Sequence, residues 1–293
     1  MFTGTYTAIV TPFKNGEVDE TALHRLIQSQ IKGGVDGIVP VGTTGESPTL
    51  DYEEHIRVIE RSVAFARGKI KVLAGTGANS TKEAIYLTQR AEDVGADGSL
   101  QVAPYYNKPS QEGLFRHFCA IARATRLPIV LYSIPGRCGI EIGVDTVQRL
   151  ARACKNIVGI KEAGGSCDRV SQLRAALGPK FEIVSGDDSL TLPFMAVGAQ
   201  GVISVASNVI PRETAQMVGA FARGDAKKAA QLHARFTPLF KDLFIETNPV
   251  PVKAALAMLG VIQEEYRLPL VPLGDANRAR LRETLKACGI LKK

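Results

Sequence analysis

The segment Ile157-Val158-Gly159-Ile160-Lys161-Glu162-Ala163-Gly164-Gly165 begins as a short apolar run and ends in glycines. Runs of this kind are rich in Val and Ile, and each is followed by a stretch of helical period, which predicts strands alternating with helices. The runs are Tyr6–Val10, Gly37–Val41, Lys71–Ala74, Gly98–Val102, Ile129–Tyr132, Ile157–Lys161, Phe181–Val184 and Gly201–Ser204. One unbroken series of such units predicts an α/β fold, a closed (β/α)8 TIM barrel, with a doubly wound open sheet as the alternative.

The strand pattern stops near Ile210. Beyond it, helical periodicity over Thr214–Ala222, Lys227–Phe244 and Pro251–Leu259 predicts helices only. We therefore divide the chain into a barrel domain, residues 1–224, and a C-terminal helical region, residues 225–293, that forms an appendix to the barrel.

The composition excludes several classes of protein. The 293 residues are 45% hydrophobic, but no apolar run of 18 residues occurs, so we expect no membrane span. The N-terminus lacks a secretory pattern, and five widely spaced cysteines without a CxxC motif indicate reduced thiols, so we expect a cytoplasmic protein. The net charge of +7 is dispersed along amphipathic stretches, which argues against nucleic-acid binding.

Lys161 is the residue with the clearest chemistry, because it lies within an apolar run. Burial disfavours the ammonium form and lowers the pKa of a lysine. A neutral amine can attack a carbonyl carbon and form a Schiff base. The alternative is an ordinary lysine whose stem is buried and whose ammonium reaches water.

Other polar groups follow the predicted strands, at the edge where barrel enzymes hold their active sites. The turn Gly42–Glu46 is either a simple strand–helix turn or a cradle for a carboxylate. Tyrosines in the segments Pro104–Asn107 and Tyr132–Arg137 could move protons beside an imine, and Arg137 could bind a carboxylate through two hydrogen bonds. Asp187-Asp188 lacks further metal ligands nearby in sequence, which favours loop capping over a metal site.

Several motifs, in order, make the chain resemble the dihydrodipicolinate synthase family of the N-acetylneuraminate lyase superfamily. The resemblance extends from Met1 nearly to the C-terminus. Its motifs are Val41-Gly42-Thr43-Thr44-Gly45-Glu46-Ser47, Ala74-Gly75-Thr76-Gly77-Ala78-Asn79, Pro104-Tyr105-Tyr106-Asn107-Lys108-Pro109, Tyr132 followed by Ile134-Pro135-Gly136-Arg137, and Gly159-Ile160-Lys161-Glu162.

The resemblance implies a Schiff-base aldolase-type lyase without metal or organic cofactor. Such an enzyme condenses pyruvate with L-aspartate 4-semialdehyde to 4-hydroxy-tetrahydrodipicolinate, in lysine and diaminopimelate biosynthesis. The matched residues are Lys161 as nucleophile, Thr43, Tyr106 and Tyr132 as proton relay, Thr44 for the pyruvate carboxylate, Arg137 for the semialdehyde carboxylate, and Gly186 and Ile203 as pocket positions.

The resemblance also implies assembly and regulation. Tyr106 would reach into the site of a neighbouring subunit, within a homotetramer built as a dimer of dimers. Inhibition by L-lysine would use an interface site matched by Ser47, His55, Asn79, Glu83 and Tyr105. Two features argue against this lysine site. Pro48 and Tyr52 replace an Ala and a His that are found in well-known lysine-sensitive bacterial relatives. Glu83 could instead serve as the acid of a capping box that begins at Ser80.

Two other functions remain open from the sequence. A sugar-acid lyase of the same superfamily, acting on N-acetylneuraminate or 2-keto-3-deoxy sugar acids, would share the lysine and the Gly-Thr-Thr-Gly-Glu turn but typically lacks Arg137. A non-catalytic pyruvate-binding regulator would be expected to have lost at least one residue of the catalytic set. This chain retains the whole set, namely Lys161, Thr43, Tyr106, Tyr132 and Arg137.

Overall fold

Eight parallel strands form a closed barrel in the computed structural model, which describes residues 1–292. The strands are β1 (Gly4–Ala8), β2 (Gly37–Val39), β3 (Lys71–Gly75), β4 (Gly98–Val102), β5 (Ile129–Ser133), β6 (Ile157–Glu162), β7 (Glu182–Ser185) and β8 (Gly201–Ser204). Tyr6 of β1 lies opposite Gly37 of β2 on one side and Ile203 of β8 on the other, so β1 closes the ring. The prediction of a TIM barrel is confirmed, and the open sheet is excluded.

The predicted strands agree with the observed ones to within two residues at each end. The agreement arises because barrel strands are covered on both faces and therefore appear in the sequence as continuous apolar runs. Sequence periodicity did not reveal a small antiparallel hairpin, Phe13–Lys14 with Glu17–Val18, whose strands are too short to show a period.

Helices follow the strands and cover the barrel. They are α1 (Glu20–Gly33), α2 (Tyr52–Ala66), α3 (Thr81–Asp93), α4 (Gln111–Arg123), α5 (Pro135–Cys138), α6 (Val144–Ala153), α7 (Cys167–Leu177), α8 (Thr191–Ala196), α9 (Pro211–Ala222), α10 (Ala226–Asp242), α11 (Val250–Met258) and α12 (Asp275–Ala287). None of the helices within residues 1–292 is both long enough and apolar enough to cross a membrane.

Capping side chains begin several of these helices. Asp51 and Glu54 form a complete capping box at the start of α2. Ser80 begins α3 by accepting a hydrogen bond from the backbone N–H of Glu83. No return bond from the Glu83 carboxylate to Ser80 occurs among the described residues, so the Glu83 side chain is available for other contacts.

Two apolar clusters hold the fold together. The larger one fills the space between the strands and the surrounding helices. The smaller one fills the barrel interior with inward-facing side chains, among them Tyr6, Leu73, Val130, Tyr132 and Ile203. The interior is therefore a packed core that closes the floor beneath the carboxyl ends of the strands.

The C-terminal helices α10, α11 and α12 form the predicted helical appendix. They do not stand apart from the barrel, since Lys253 of α11 forms a buried ion pair with Glu46 after β2. The division into residues 1–224 and 225–293 stays a prediction. The contact shows that the appendix packs against the carboxyl end of the barrel, where the polar turns lie.

Candidate active site

Lys161 lies near the end of β6, opposite Tyr132 of β5 and Val184 of β7. Its side chain is only 6% exposed, and its Nζ lies 4.2 Å from the centre of the Tyr132 ring. Burial lowers the pKa of Lys161 to about 7. The negative charge of Asp188 acts to raise this pKa, and the positive charge of Arg137 acts to lower it. A large fraction of this amine is therefore neutral and nucleophilic near neutral pH.

Space for the lysine side chain depends on the glycine at position 186. A Cβ added to Gly186 would lie 2.7 Å from the Ala163 Cβ and 3.0 Å from the Lys161 Cε. Any larger residue would push the lysine away from its present position. Gly186, which the family resemblance named as a pocket position, also lines the cavity that contains Lys161.

Tyr132 is buried against Lys161, and burial raises the pKa of its hydroxyl well above the ordinary value. The positive charge of Arg137 and the nearby Thr43 hydroxyl act in the opposite direction. A phenol that stays protonated and contacts a hydroxyl neighbour can donate and recover a proton beside an imine. The structure thus brings together three of the four residues predicted to catalyse the reaction, Lys161, Tyr132 and Thr43.

The turn after β2 places Thr43 and Thr44 on the cavity wall. The backbone N–H groups of Gly45 and Glu46 are used within the turn, donating to the oxygens of Gly42 and Thr43. Within residues 1–292, the N–H groups of Thr43 and Thr44 donate to no backbone oxygen. Two free N–H groups and two hydroxyls on one turn suit a carboxylate.

Arg137 lies on the short helix α5 and lines the cavity at its exposed side. Its Nη2 donates a hydrogen bond to the backbone oxygen of Asn248 at 3.1 Å. This contact orients the guanidinium and leaves its other donors for a ligand carboxylate. Arg137 and Lys161 therefore belong to one cavity, with the amine at its floor.

Two predicted site residues lie elsewhere. Ile203 belongs to the barrel interior with Tyr132 and Val184, so it supports the cavity floor from below and does not line the cavity. Tyr106 is 91% exposed and has a left-handed backbone (φ 71°). It does not reach Lys161 of its own chain, and its role across an interface stays a prediction.

Four of the five residues predicted to bind lysine line a second cavity: Ser47, His55, Glu83 and Tyr105. Asn79 adjoins it through a hydrogen bond from its Nδ2 to the Tyr105 backbone oxygen, at 3.2 Å. Ser47, Pro48 and Tyr105 also line a third cavity, which contacts Thr43, Tyr132 and Arg137 but not Lys161, so this third cavity lies between the other two. His55 is buried and donates from Nε2 to the Gly75 oxygen at 2.8 Å, and burial lowers its pKa.

Asp187 and Asp188 serve the loops beside the site. The Asp188 carboxylate accepts hydrogen bonds from the backbone N–H groups of Val205 and Ala206, at 3.0 and 2.9 Å. Asp187 accepts from the backbone N–H of Ser189 at 2.7 Å. These bonds match the loop-capping role that the sequence favoured.

Sequence reasoning missed two contributors from the C-terminal region, Asn248 and Lys253. Asn248 lines the Lys161 cavity, and Lys253 neutralises Glu46 of the threonine turn. The only local signal was the presence of a lysine within an apolar helix, in Pro251–Leu256, the same kind of signal that marked Lys161.

The fold and the cavity together define a (β/α)8 barrel enzyme whose site is built around a neutral lysine. The model of the dihydrodipicolinate synthetase family matches residues 1–288. A curated 4-hydroxy-tetrahydrodipicolinate synthase of Aquifex aeolicus (strain VF5) is 53% identical over 98% of this chain and 97% of its own length. The chain therefore belongs to the dihydrodipicolinate synthetase family, and it is an enzyme with the synthase function of that family.

Solved structures agree with this assignment. The 4-hydroxy-tetrahydrodipicolinate synthase of Methylacidiphilum fumariolicum SolV is 60% identical, with a TM-score of 0.98 over 99% of this chain and 96% of that one. The enzyme of Acinetobacter baumannii complexed with pyruvate has a TM-score of 0.97 at 46% identity, over 99% and 100% of the chains. The enzyme of Cyanidioschyzon merolae with lysine bound has a TM-score of 0.96 at 43% identity, over 99% of each chain.

Proposed function

We propose that this enzyme condenses pyruvate with L-aspartate 4-semialdehyde to form 4-hydroxy-tetrahydrodipicolinate, through a Schiff base on Lys161. The observation that carries the proposal is the buried Lys161 amine, whose pKa is lowered by burial, in one cavity with Tyr132, Thr44 and Arg137. The sugar-acid lyases and the non-catalytic regulator are less well supported, because the full-length relatives carry the synthase name.

The first half of the reaction uses the lysine and the tyrosine. The Lys161 nitrogen attacks the ketone carbon of pyruvate while the Thr44 turn holds the carboxylate. The carbinolamine loses water, with Tyr132 as proton donor, and leaves a protonated imine. Loss of a methyl proton then gives an enamine, whose carbon is the nucleophile of the second half.

The second half joins the two substrates. Arg137 holds the carboxylate of the semialdehyde, and the enamine carbon attacks its aldehyde carbon. The aldehyde oxygen takes up a proton, so the aldehyde becomes an alcohol. This step regenerates an iminium on Lys161. The amine of the semialdehyde then attacks the iminium carbon and expels the Lys161 amine, so ring closure frees the enzyme.

Assembly and regulation form part of the same proposal. A homotetramer built from dimers would let the exposed Tyr106 complete the proton relay of a neighbouring subunit. L-lysine would bind the cavity lined by His55 and Glu83, which adjoins the active site through the intervening cavity. A cytoplasmic location fits the five unpaired cysteines.

Borohydride trapping tests the proposal directly. The enzyme is incubated with pyruvate, reduced, digested and mapped by mass spectrometry, and we expect the adduct on Lys161. Lys253 is an internal control, because it is also buried with a lowered pKa but lies outside the Lys161 cavity. An adduct on another lysine, or the absence of any adduct, would refute the assignment of Lys161 as the nucleophile.

Substrate choice is tested alongside. Condensation of pyruvate with L-aspartate 4-semialdehyde is measured next to cleavage of N-acetylneuraminate and of 2-keto-3-deoxy sugar acids. We expect condensation to dominate. If pyruvate is trapped on Lys161 but the enzyme cleaves sugar acids preferentially, Lys161 is still the nucleophile and L-aspartate 4-semialdehyde is rejected as the second substrate.

A further inference from the structure

Asn248 lies between α10 and α11, two residues before Val250, the first residue of α11, in a segment to which the sequence assigned no chemistry. It is 5% exposed, and it lines the cavity that contains Lys161. The residue is thus placed to touch a ligand of the active site although it lies far along the chain from every catalytic motif.

Two hydrogen bonds connect Asn248 to the residues proposed to bind the substrate carboxylates. Its Nδ2 donates to the Thr44 Oγ1 at 3.1 Å. Its backbone oxygen accepts from the Arg137 Nη2 at 3.1 Å. Asn248 therefore sits between the pyruvate side and the semialdehyde side of the cavity.

The side-chain oxygen of Asn248 has no such partner. Among the described residues, Asn248 Oδ1 is buried and makes no hydrogen bond. Leaving a buried acceptor unpaired costs about 1–3 kcal/mol, so such groups are rare in folded proteins unless a ligand satisfies them. The other buried unpaired side-chain atoms of the described chain belong to residues that do not line the Lys161 cavity.

An unpaired acceptor beside two carboxylate-binding groups requires a ligand with a hydrogen-bond donor next to a carboxylate. Pyruvate has no donor. L-aspartate 4-semialdehyde has an ammonium group on the carbon that carries its carboxylate. We propose that Asn248 Oδ1 accepts a hydrogen bond from this ammonium while Arg137 holds the adjacent carboxylate, so that Asn248 selects an α-amino aldehyde. The inference rests on the proposed function, which makes the amino aldehyde a substrate.

The contact also serves the last step of the reaction. After giving up a proton to the alkoxide oxygen that forms from the aldehyde, the same nitrogen must attack the iminium carbon to release Lys161. An acceptor that orients this nitrogen therefore restricts the semialdehyde to a productive pose. A site with a buried polar group discriminates strongly against an analogue that lacks the matching donor. Succinate semialdehyde is that analogue, because it keeps the carboxylate and the aldehyde and lacks only the amine.

The test compares kcat/KM for the two aldehydes at saturating pyruvate, in the native enzyme, Asn248→Leu and Asn248→Asp. The ratio of the two values is independent of how much protein is folded, so partial misfolding of a variant does not obscure it. We expect the native enzyme to prefer the amino aldehyde by at least about tenfold. Asn248→Leu should bring the ratio close to one, mainly by losing activity on the amino aldehyde.

Asn248→Asp should keep the preference, since a carboxylate also accepts from an ammonium. Asn208→Leu is the matched control, because Asn208 is a buried asparagine whose amide donates to the Ala8 and Val205 backbone oxygens but which does not itself line the Lys161 cavity. It should reduce stability without changing the ratio.

Two results would overturn the inference. Equal losses on both aldehydes in Asn248→Leu would show that Asn248 only holds Thr44 and Arg137 in place. Loss of the preference in Asn248→Asp would show that the free amide atom is a donor. These outcomes differ from failure of the proposed function, in which the native enzyme itself would not condense pyruvate with the semialdehyde.

Discussion

Lys253 of α11 and Glu46 of the threonine turn form an ion pair in which both side chains are 0% exposed. The ammonium of Lys253 also lies 4.3 Å from the centre of the Phe13 ring. Glu46 adopts a left-handed backbone (φ 55°), directly after the residues that line the Lys161 cavity. The pair therefore connects the C-terminal appendix to the proposed pyruvate cradle.

We predict that Lys253→Met destabilises the enzyme by about 3–5 kcal/mol, because it leaves the Glu46 carboxylate buried without its cation. The measurement is the free energy of unfolding from denaturant titration. The double variant Glu46→Gln/Lys253→Met should recover much of the loss. Lys286→Met, which breaks a solvent-exposed pair with Glu283, is the control and should cost at most about 1 kcal/mol. Similar losses in both single variants would contradict a special role for the buried pair.

The lowered pKa of Lys161 predicts how imine formation depends on pH. Only the neutral amine attacks pyruvate, so the rate of borohydride trapping should rise about tenfold per pH unit below the pKa and level off above about pH 7. The positive charge of Arg137 helps to lower this pKa, so Arg137→Ala should move the profile to higher pH. A profile that keeps rising to pH 10 would show that Lys161 is not desolvated in solution.

Arg137 should decide the use of the second substrate. We expect Arg137→Ala to lower kcat/KM for the semialdehyde about 10- to 100-fold, because a charged hydrogen-bonded contact is lost. Trapping of pyruvate, measured at a pH above the shifted profile, should persist. Arg137→Lys keeps the charge without the planar fork and should recover only part of the activity. Equal loss of trapping and condensation would assign Arg137 to the first half-reaction or to the fold.

Tyr106 should act in the site of a neighbouring subunit. We predict that Tyr106→Phe and Lys161→Ala enzymes are each weak or inactive, whereas a purified heterodimer of the two regains about half of the native activity, because one of its sites carries neither defect. Two affinity tags isolate the heterodimer after co-expression. A mixture of the two homodimers without exchange is the control. An inactive heterodimer would place Tyr106 outside the relay.

L-lysine should inhibit by binding the cavity lined by Ser47, His55 and Glu83. Coupling between two sites of this kind is about 1–3 kcal/mol, so inhibition should be partial. Glu83→Ala should raise the half-inhibitory concentration at least about tenfold, because a carboxylate suits the ammonium of lysine. Glu60→Ala, an exposed acid on α2, should leave it unchanged. If L-lysine does not inhibit the native enzyme, this part of the proposal is wrong, and the replacements at Pro48 and Tyr52 would account for the loss of lysine binding.

Local sequence determined the barrel strands and one essential feature of the site. A strand that is covered on both faces is mostly apolar, so the predicted runs Gly98–Val102 and Gly201–Ser204 correspond to strands with the same bounds, although Gly98–Val102 also contains a buried Ser and a buried Gln. For the same reason the sequence predicted a partly desolvated Lys161, and burial in the folded barrel lowers its pKa. The position of Lys161 at the carboxyl edge of the barrel follows from the alternation of strands and helices.

Only the tertiary structure decided which side chains complete the cavity. Asn248 lies 204 residues from Thr44 and 111 residues from Arg137, yet it bonds to both. Lys253 lies 207 residues from Glu46. Sequence periodicity reports which face of a helix or strand is buried, but it does not report which distant segment covers that face. That pairing depends on how the C-terminal helices pack over the closed barrel. The packing buries Asn248 beside Thr44 and Arg137, and it buries the Lys253 ammonium beside Glu46. No local sequence pattern connects these residues.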